Sequence, residues 1–338
     1  MLKDGIQLIT NKIHLPIYGE VIPRIEVELY GENFQKRVTV RVNQISSFLF
    51  DGEKVYAMLN NVIYEVEAKI CFDEKRNQLG MYNFGMLREN GARSFVLDYH
   101  TYCCYACKFC FKENEWENRL IECQEDSNYE QNFIKCMQYI EDNKEKFVKD
   151  YDIIWLCTGS ILDYEVEKDR NCKIASKLRE IGYQGDIYAS QVIPKPIVKK
   201  HIERRKFLQT LKDSGISRFN SGVEIVDSSI RKEYISEYKG KIEFEDYVNM
   251  FEDAIEIFGY QRVGSCLLAG IEKSTDTLSV LEKLAKLGVV PAPTVFTPFV
   301  IKQLNIPFLL SLDELIYAHI QFNKIIEKYN LPVFFSLA

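Results

Sequence analysis

The chain has 338 residues, 46% of them hydrophobic and 27% charged, with a net charge of −6. This length suits about two domains with sizeable cores, and the acidic balance argues against a protein that chiefly binds nucleic acid. No apolar run reaches the ~18 residues of a transmembrane helix, and Met1-Leu2-Lys3-Asp4-Gly5 lacks the layout of a signal peptide, so a cytoplasmic location is the expectation.

Residues 1–92 read as a small β-rich domain. Arg24-Ile25-Glu26-Val27-Glu28-Leu29-Tyr30 alternates apolar and polar side chains, as a half-buried strand does. Gly31-Glu32-Asn33 is a turn signal, and Arg37-Val38-Thr39-Val40-Arg41-Val42 alternates again. Ser47-Phe48-Leu49-Phe50 and Val55-Tyr56-Ala57-Met58-Leu59 flank Asp51-Gly52, a hairpin signal. After Asn60-Asn61, the stretch 62–68 adds another strand, and the whole reads as an antiparallel sheet.

From residue 93 the rhythm changes to strands alternating with helices, the mark of βα units and a parallel sheet. Strands are expected at 95–99, 153–157, 186–190, from 216 to near Glu224, at 262–268 and at 293–299. Helical spacing covers 128–147, 173–181, 202–212, 244–258, 277–287 and 312–328, and 332–335 reads as a last strand. The expected fold is therefore α/β: a partial (β/α)6 TIM-like barrel over 93–310, preceded by the β-rich domain and followed by a helical extension over 311–338. Ligands of such folds gather at the carboxyl ends of the strands.

Ten cysteines is a high number for a chain expected in a reducing compartment. Cys71, Cys123, Cys136, Cys157, Cys172 and Cys266 are scattered and read as structural thiols. The rest fall in Tyr102-Cys103-Cys104-Tyr105-Ala106-Cys107-Lys108-Phe109-Cys110, directly after the first barrel strand. Clustered thiolates suit an iron–sulfur cluster or zinc. Two spacings compete, Cys103-x3-Cys107-x2-Cys110 and Cys104-x2-Cys107-x2-Cys110. The second resembles half of a bacterial ferredoxin motif, but Phe111-Lys112-Glu113-Asn114 follows where a further cysteine belongs. Zinc usually takes two close pairs or added histidines. Of His14, His100, His201 and His319, only His100 is near in sequence. A cluster held by three thiolates keeps one iron open for a non-protein ligand.

Cys103-x3-Cys107-x-Phe109-Cys110 after a first β-strand resembles the signature of the radical S-adenosylmethionine superfamily. The resemblance runs over about residues 93–300. It implies one 4Fe–4S cluster on Cys103, Cys107 and Cys110, with S-adenosylmethionine on the open iron. Electron transfer from the cluster then yields a 5′-deoxyadenosyl radical that takes a hydrogen atom from a substrate. Thr158-Gly159-Ser160 stands where the family has a turn gripping the methionine amino group, with Ser160 in the place of an acid. Ser190 and Gln191 end the third strand, where polar side chains of relatives reach the carboxylate or ribose. Glu224, in Asn220-Ser221-Gly222-Val223-Glu224-Ile225, resembles the ribose-binding acid, and two hydroxyl donors suit an acceptor-only carboxylate. Asp227 or Ser228 reads as a helix cap, and Arg231 resembles an arginine that pairs with the methionine carboxylate. The stretch 266–272 resembles an adenine-pocket segment in part. Thr294-Val295-Phe296-Thr297-Pro298 resembles the segment behind the adenine, which makes Thr297 a further cofactor candidate.

The basic run Lys199-Lys200-His201-Ile202-Glu203-Arg204-Arg205-Lys206 reads as a solvated helix face, and Tyr99, Tyr102 and Tyr105 as core or cluster shielding. No catalytic residue for the substrate step is legible. The resemblance implies an electron donor such as flavodoxin or ferredoxin. Without a cysteine beyond Cys266, an auxiliary cluster is not expected. That favours a small-molecule mutase, lyase or dehydrogenase over a peptide-modifying enzyme. The non-enzyme alternative is an iron–sulfur electron-transfer or zinc-binding protein.

Overall fold

The computed structural model describes residues 7–8, 24–31, 34–41, 48–59, 62–71, 94–97, 99, 103–105, 107–110, 127–161, 163–193, 195–235, 237–296 and 310–332. Strands β1 (Gln7–Leu8), β2 (Arg24–Gly31), β3 (Phe34–Arg41), β4 (Phe48–Phe50), β5 (Lys54–Leu59) and β6 (Val62–Cys71) form one sheet in the order β1-β4-β5-β6-β2-β3. The alternating stretches pair antiparallel, with Val27 opposite Val38. Asp51 builds the β4–β5 turn: its Oδ1 accepts from the N–H groups of Glu53 and Lys54, each at 2.8 Å. Gly52 supplies the φ of 112° that a side chain would resist. The sheet is mixed rather than antiparallel throughout, because β1 pairs with β4 in parallel. A two-residue strand is too short to show a period in the sequence.

Strands β7 (Ser94–Leu97), β8 (Ile153–Leu156), β9 (Asp186–Ser190), β10 (Arg218–Asn220), β11 (Val263–Ala269) and β12 (Val289–Val295) form a second, six-stranded sheet whose spatial order is the chain order. All five pairings are parallel. Parallel neighbours need crossover connections, and the described helices share one core with a single face of this sheet. This is the partial barrel expected from the sequence. The alternation of side chains agrees. Phe95, Leu97, Ile154, Leu156, Ile187, Ala189, Phe219, Val263 and Leu267 join the helices in the main core. Val96, Ile153, Trp155, Cys157 and Tyr188 form a separate cluster on the other, inner face. Burying each large apolar side chain contributes roughly 1.5–3 kcal/mol before ordering costs.

Several boundaries differ from expectation for local reasons. The helical stretch 128–147 is two helices, Ser127–Asp142 and Lys144–Asp150, broken at Asn143. The next helix begins early, at Tyr164, because Asp163 caps it by accepting from the N–H groups of Glu165 and Val166. The fourth strand is short, and Glu224 contributes only an isolated bridge to Leu267. The sixth strand runs Val289–Val295, earlier than 293–299, and accommodates Pro291 and Pro293 because it is the sheet edge. Helices Phe244–Phe258 and Leu312–Lys328 fall where their periodicity places them. Residues 333–335 of the expected last strand lie outside the described residues. No described helix is long and apolar enough to cross a membrane.

The inner face is closed off below by an ionic and aromatic floor. Trp155 and Tyr188 stack with ring centroids 4.0 Å apart, and the Arg218 guanidinium lies 5.1 Å from the Tyr188 ring centroid. Asp186 accepts from Arg218 Nε at 2.6 Å, Arg262 Nη1 at 2.8 Å and Ser217 Oγ at 2.9 Å. Burial works to raise the Asp186 carboxyl, but Arg218, Ser217 and Arg262 outweigh it and hold the carboxyl below its ordinary value. A depressed folded-state pKa stabilises the fold above the unfolded value near ~4, and the contribution is lost as pH falls. Asp186→Asn is therefore expected to cost ~1–3 kcal/mol at neutral pH. Urea unfolding across a pH series should show the difference between variant and wild type shrinking as pH falls through the depressed value of this carboxyl.

Candidate functional site

Parallel strands place their carboxyl ends at one mouth, and the cysteine loop leaves that mouth after β7. Two adjacent cysteines part company there. Cys104 is 1% exposed and belongs to the main core, and both its thiol and its N–H donate to Ser160 O at 2.8 Å. Cys103, Cys107 and Cys110 gather instead in a second apolar cluster with Tyr105, Phe109, Ile225, Ile235, Leu268, Ile271 and Phe296. Cys110 N–H donates to Cys107 O at 2.9 Å, and Lys108 N–H anchors the loop on Tyr234 O at 2.8 Å.

Burial pushes the Cys107 thiol up, and the Lys239 ammonium opposes it. Burial also raises Cys103, opposed by the N–H of Ser160, which donates to its sulfur at 3.4 Å. Among the described residues, no three His, Cys, Asp or Glu side chains converge closely enough to hold a metal ion. The loop thus brings the three sulfurs into one neighbourhood without closing them on a common point. Three soft thiols in an apolar bed fit an iron–sulfur cluster by donor chemistry.

The turn after β8 lies beside this loop through Ser160. Thr158 is half-buried, and Gly159 and Ser160 are buried. The acid missing from the turn arrives from the helix Tyr164–Glu180: Glu167, 3% exposed, accepts from Ser160 Oγ at 3.4 Å and Ile161 N–H at 3.1 Å. At the end of β9, Ser190 Oγ accepts from Asn220 Nδ2 at 3.0 Å. Gln191 Oε1 accepts from Asn171 Nδ2 at 3.5 Å, while Gln191 Nε2 and Ser221 Oγ have no partner although both residues are buried. Buried polar atoms are normally satisfied, so two orphans at neighbouring strand ends fit a polar ligand.

Two candidates stand differently from their sequence reading. The Glu224 carboxylate is 2.6 Å from the Lys239 ammonium. Arg231 is buried: its Nη1 donates to Val223 O at 2.6 Å and Ile225 O at 2.9 Å, and its Nη2 to Lys239 O at 3.2 Å and Tyr247 Oη at 3.1 Å. With both Nη atoms committed, the guanidinium braces the loop rather than presenting a fork to a carboxylate. Asp227 caps the following helix as expected. Glu272 is fully buried and receives the N–H groups of Val226 and Asp227. Thr297 lies outside the described residues. Lys239 and Glu167 escaped the sequence reading. Both sit in strongly polar stretches that look solvated, and nothing local marks them as interior.

No protein-family model matches the chain, and neither does any curated protein. Among solved structures, the FeFe-hydrogenase maturase HydG from Carboxydothermus hydrogenoformans is 16% identical with a TM-score of 0.48, over 70% of this chain and 52% of its own. Methylornithine synthase (PylB) is 15% identical with a TM-score of 0.48, over 69% of this chain and 62% of its own. The radical S-adenosylmethionine methyltransferase TsrM from Kitasatospora setae is 11% identical with a TM-score of 0.39, over 61% of this chain and 36% of its own. The match thus spans about half the length of the first of these and less than two thirds of the second. A chitinase domain from Pyrococcus furiosus matches with the same TM-score as TsrM, so likeness at this level bears on neither activity nor substrate.

The brace reading of Arg231 has a direct check. Arg231→Lys keeps the charge but cannot reach three carbonyls and a hydroxyl at once. It is expected to lower the unfolding free energy of the cluster-free protein by ~2–4 kcal/mol in denaturant titrations. Unchanged stability with weakened S-adenosylmethionine binding would make Arg231 a ligand clamp instead.

Proposed function

We propose that the chain is a radical S-adenosylmethionine enzyme acting on a small molecule. The observation that carries the reading is the sorting of the cysteines. Cys103, Cys107 and Cys110 share one apolar bed at the carboxyl end of the first barrel strand, and Cys104 turns away into the core. When bound, a 4Fe–4S cluster with S-adenosylmethionine would supply reductive cleavage of the sulfonium to methionine and a 5′-deoxyadenosyl radical.

The residues divide that work. The three thiolates hold the cluster, and Phe109 helps to keep water from it. The carbonyls of Thr158 and Gly159 receive the cofactor's amino group, with the negative charge of Glu167 behind Ser160. Gln191 Nε2 and Ser221 Oγ offer a donor and a hydroxyl to the cofactor's polar atoms. Ser190 orients Asn220 between them. Glu224 keeps one carboxylate oxygen for ribose hydroxyls while the other serves Lys239. The inner face of the barrel takes the substrate, and the Trp155–Tyr188 floor limits its depth. An external reductant such as flavodoxin or ferredoxin delivers the electron.

A peptide substrate is the second reading. It draws on β3, an eight-residue strand at the sheet edge that pairs only with β2 among the described residues. Such an edge is the template for β-augmentation.

The test is anaerobic reconstitution with iron and sulfide, followed by dithionite and S-adenosylmethionine, with chromatography for 5′-deoxyadenosine. Wild type and Cys104→Ala are expected to bind iron and form the product. Cys103→Ala, Cys107→Ala and Cys110→Ala are expected to lose both. Zinc uptake without iron or sulfide, or a verified cluster that yields no product with any substrate offered, would sink the enzyme reading.

A further inference from the structure

A buried cation beside the bed of the cysteine loop is left without a task by the reading above. Lys239, on the short helix Glu237–Gly240, is only 4% exposed, with its ammonium 2.6 Å from Glu224 Oε2. Glu224 is held at φ 64°, a left-handed conformation that is unfavourable for a non-glycine residue and persists only where the surroundings enforce it. They do so here. Glu224 N–H donates to Cys266 O, and Leu268 N–H donates to Glu224 O, each at 2.8 Å. Arg231 grips the carbonyls on either side of Glu224 and the carbonyl of Lys239 itself.

The pair is built against the cysteine loop. Cys107 packs in one cluster with Ile225, the neighbour of Glu224, and with Ile235, four residues before Lys239. The loop is bonded to Tyr234 O through Lys108 N–H at 2.8 Å. Burial disfavours the charge on Lys239, and Glu224, Tyr247 and Cys107 more than restore it, so the ammonium stays charged. A buried ion pair is a poor source of stability, since apolar replacements often do as well. A strained residue, an arginine brace and a buried lysine therefore call for a reason beyond folding.

We infer that Lys239 is the buried counter-charge of the cysteine loop, and that Lys239 and Glu224 each shift the reduction potential of the cluster held there, in opposite directions and nearly balanced. This rests on the proposed iron–sulfur reading. Reduction adds one electron to the cluster from a low-potential one-electron donor. It breaks no bond and moves no proton. A fixed cation in a water-poor site stabilises the more negative, reduced state, and a fixed anion destabilises it. The two members of the pair therefore push the potential in opposite directions, with Glu224 offsetting most of what Lys239 does.

The experiment is an electron-paramagnetic-resonance-monitored potentiometric titration of the reconstituted full chain at neutral pH, without S-adenosylmethionine. Wild type, Lys239→Met, Glu224→Gln and the double variant are compared, with iron and sulfide measured on each. Lys239→Met is expected to lower the midpoint potential and Glu224→Gln to raise it, with the double variant returning close to wild type. A purely structural role predicts shifts of one sign or none, and either result overturns the inference. Should Lys239→Met fail to hold a cluster, the other two variants decide: an unshifted Glu224→Gln overturns it. Wild type that takes up no iron and sulfide defeats the iron–sulfur reading itself, which separates the two failures.

Discussion

The guanidinium of Arg231 is buried among the carbonyls of Val223, Ile225 and Lys239 and the hydroxyl of Tyr247, and it ties three pieces of the barrel mouth together. The first is the loop after β10, the second the short helix Glu237–Gly240, and the third the long helix Phe244–Phe258 on the barrel's outside. Glu272, which follows β11, takes the N–H groups of Val226 and Asp227 in that same loop. Between them an arginine and a glutamate satisfy a stretch of main chain that has left the sheet and has no ladder of its own. The cysteine loop then rests on what they fix, through Ile225, Ile235 and Tyr234.

The local sequence shows most of the barrel, since alternation and helical spacing are local properties. It shows the cysteine loop because ligand spacing is local as well. What stays hidden is long-range. Lys239 and Glu167 lie in runs rich in charge, and only the folded chain turns those two inward. Arg231 reads as a carboxylate partner on a helix, and only the folded chain shows the carbonyls that it braces. The sixth strand begins four residues earlier than its reading, and its place at the edge of the sheet makes Pro291 and Pro293 tolerable.

The two faces of the barrel sheet carry different tasks. The outer face is continuous with the helices in one large core. On neighbouring strands β11 and β12, Cys266 and Thr294 meet at 3.3 Å and keep some exposure. A closed barrel fills its interior with layers of branched side chains. Here an ionic and aromatic floor fills one layer.

The bed of the cysteine loop also dictates the order in which the molecule matures. Cys107 comes from the start of the barrel, yet the side chains it rests on come from Ile225 through Phe296. During synthesis the thiols emerge long before their surroundings and stay bare until the last barrel strand has docked. Any lesion that delays the docking of β11 or β12 therefore leaves these thiols open to oxidation for longer.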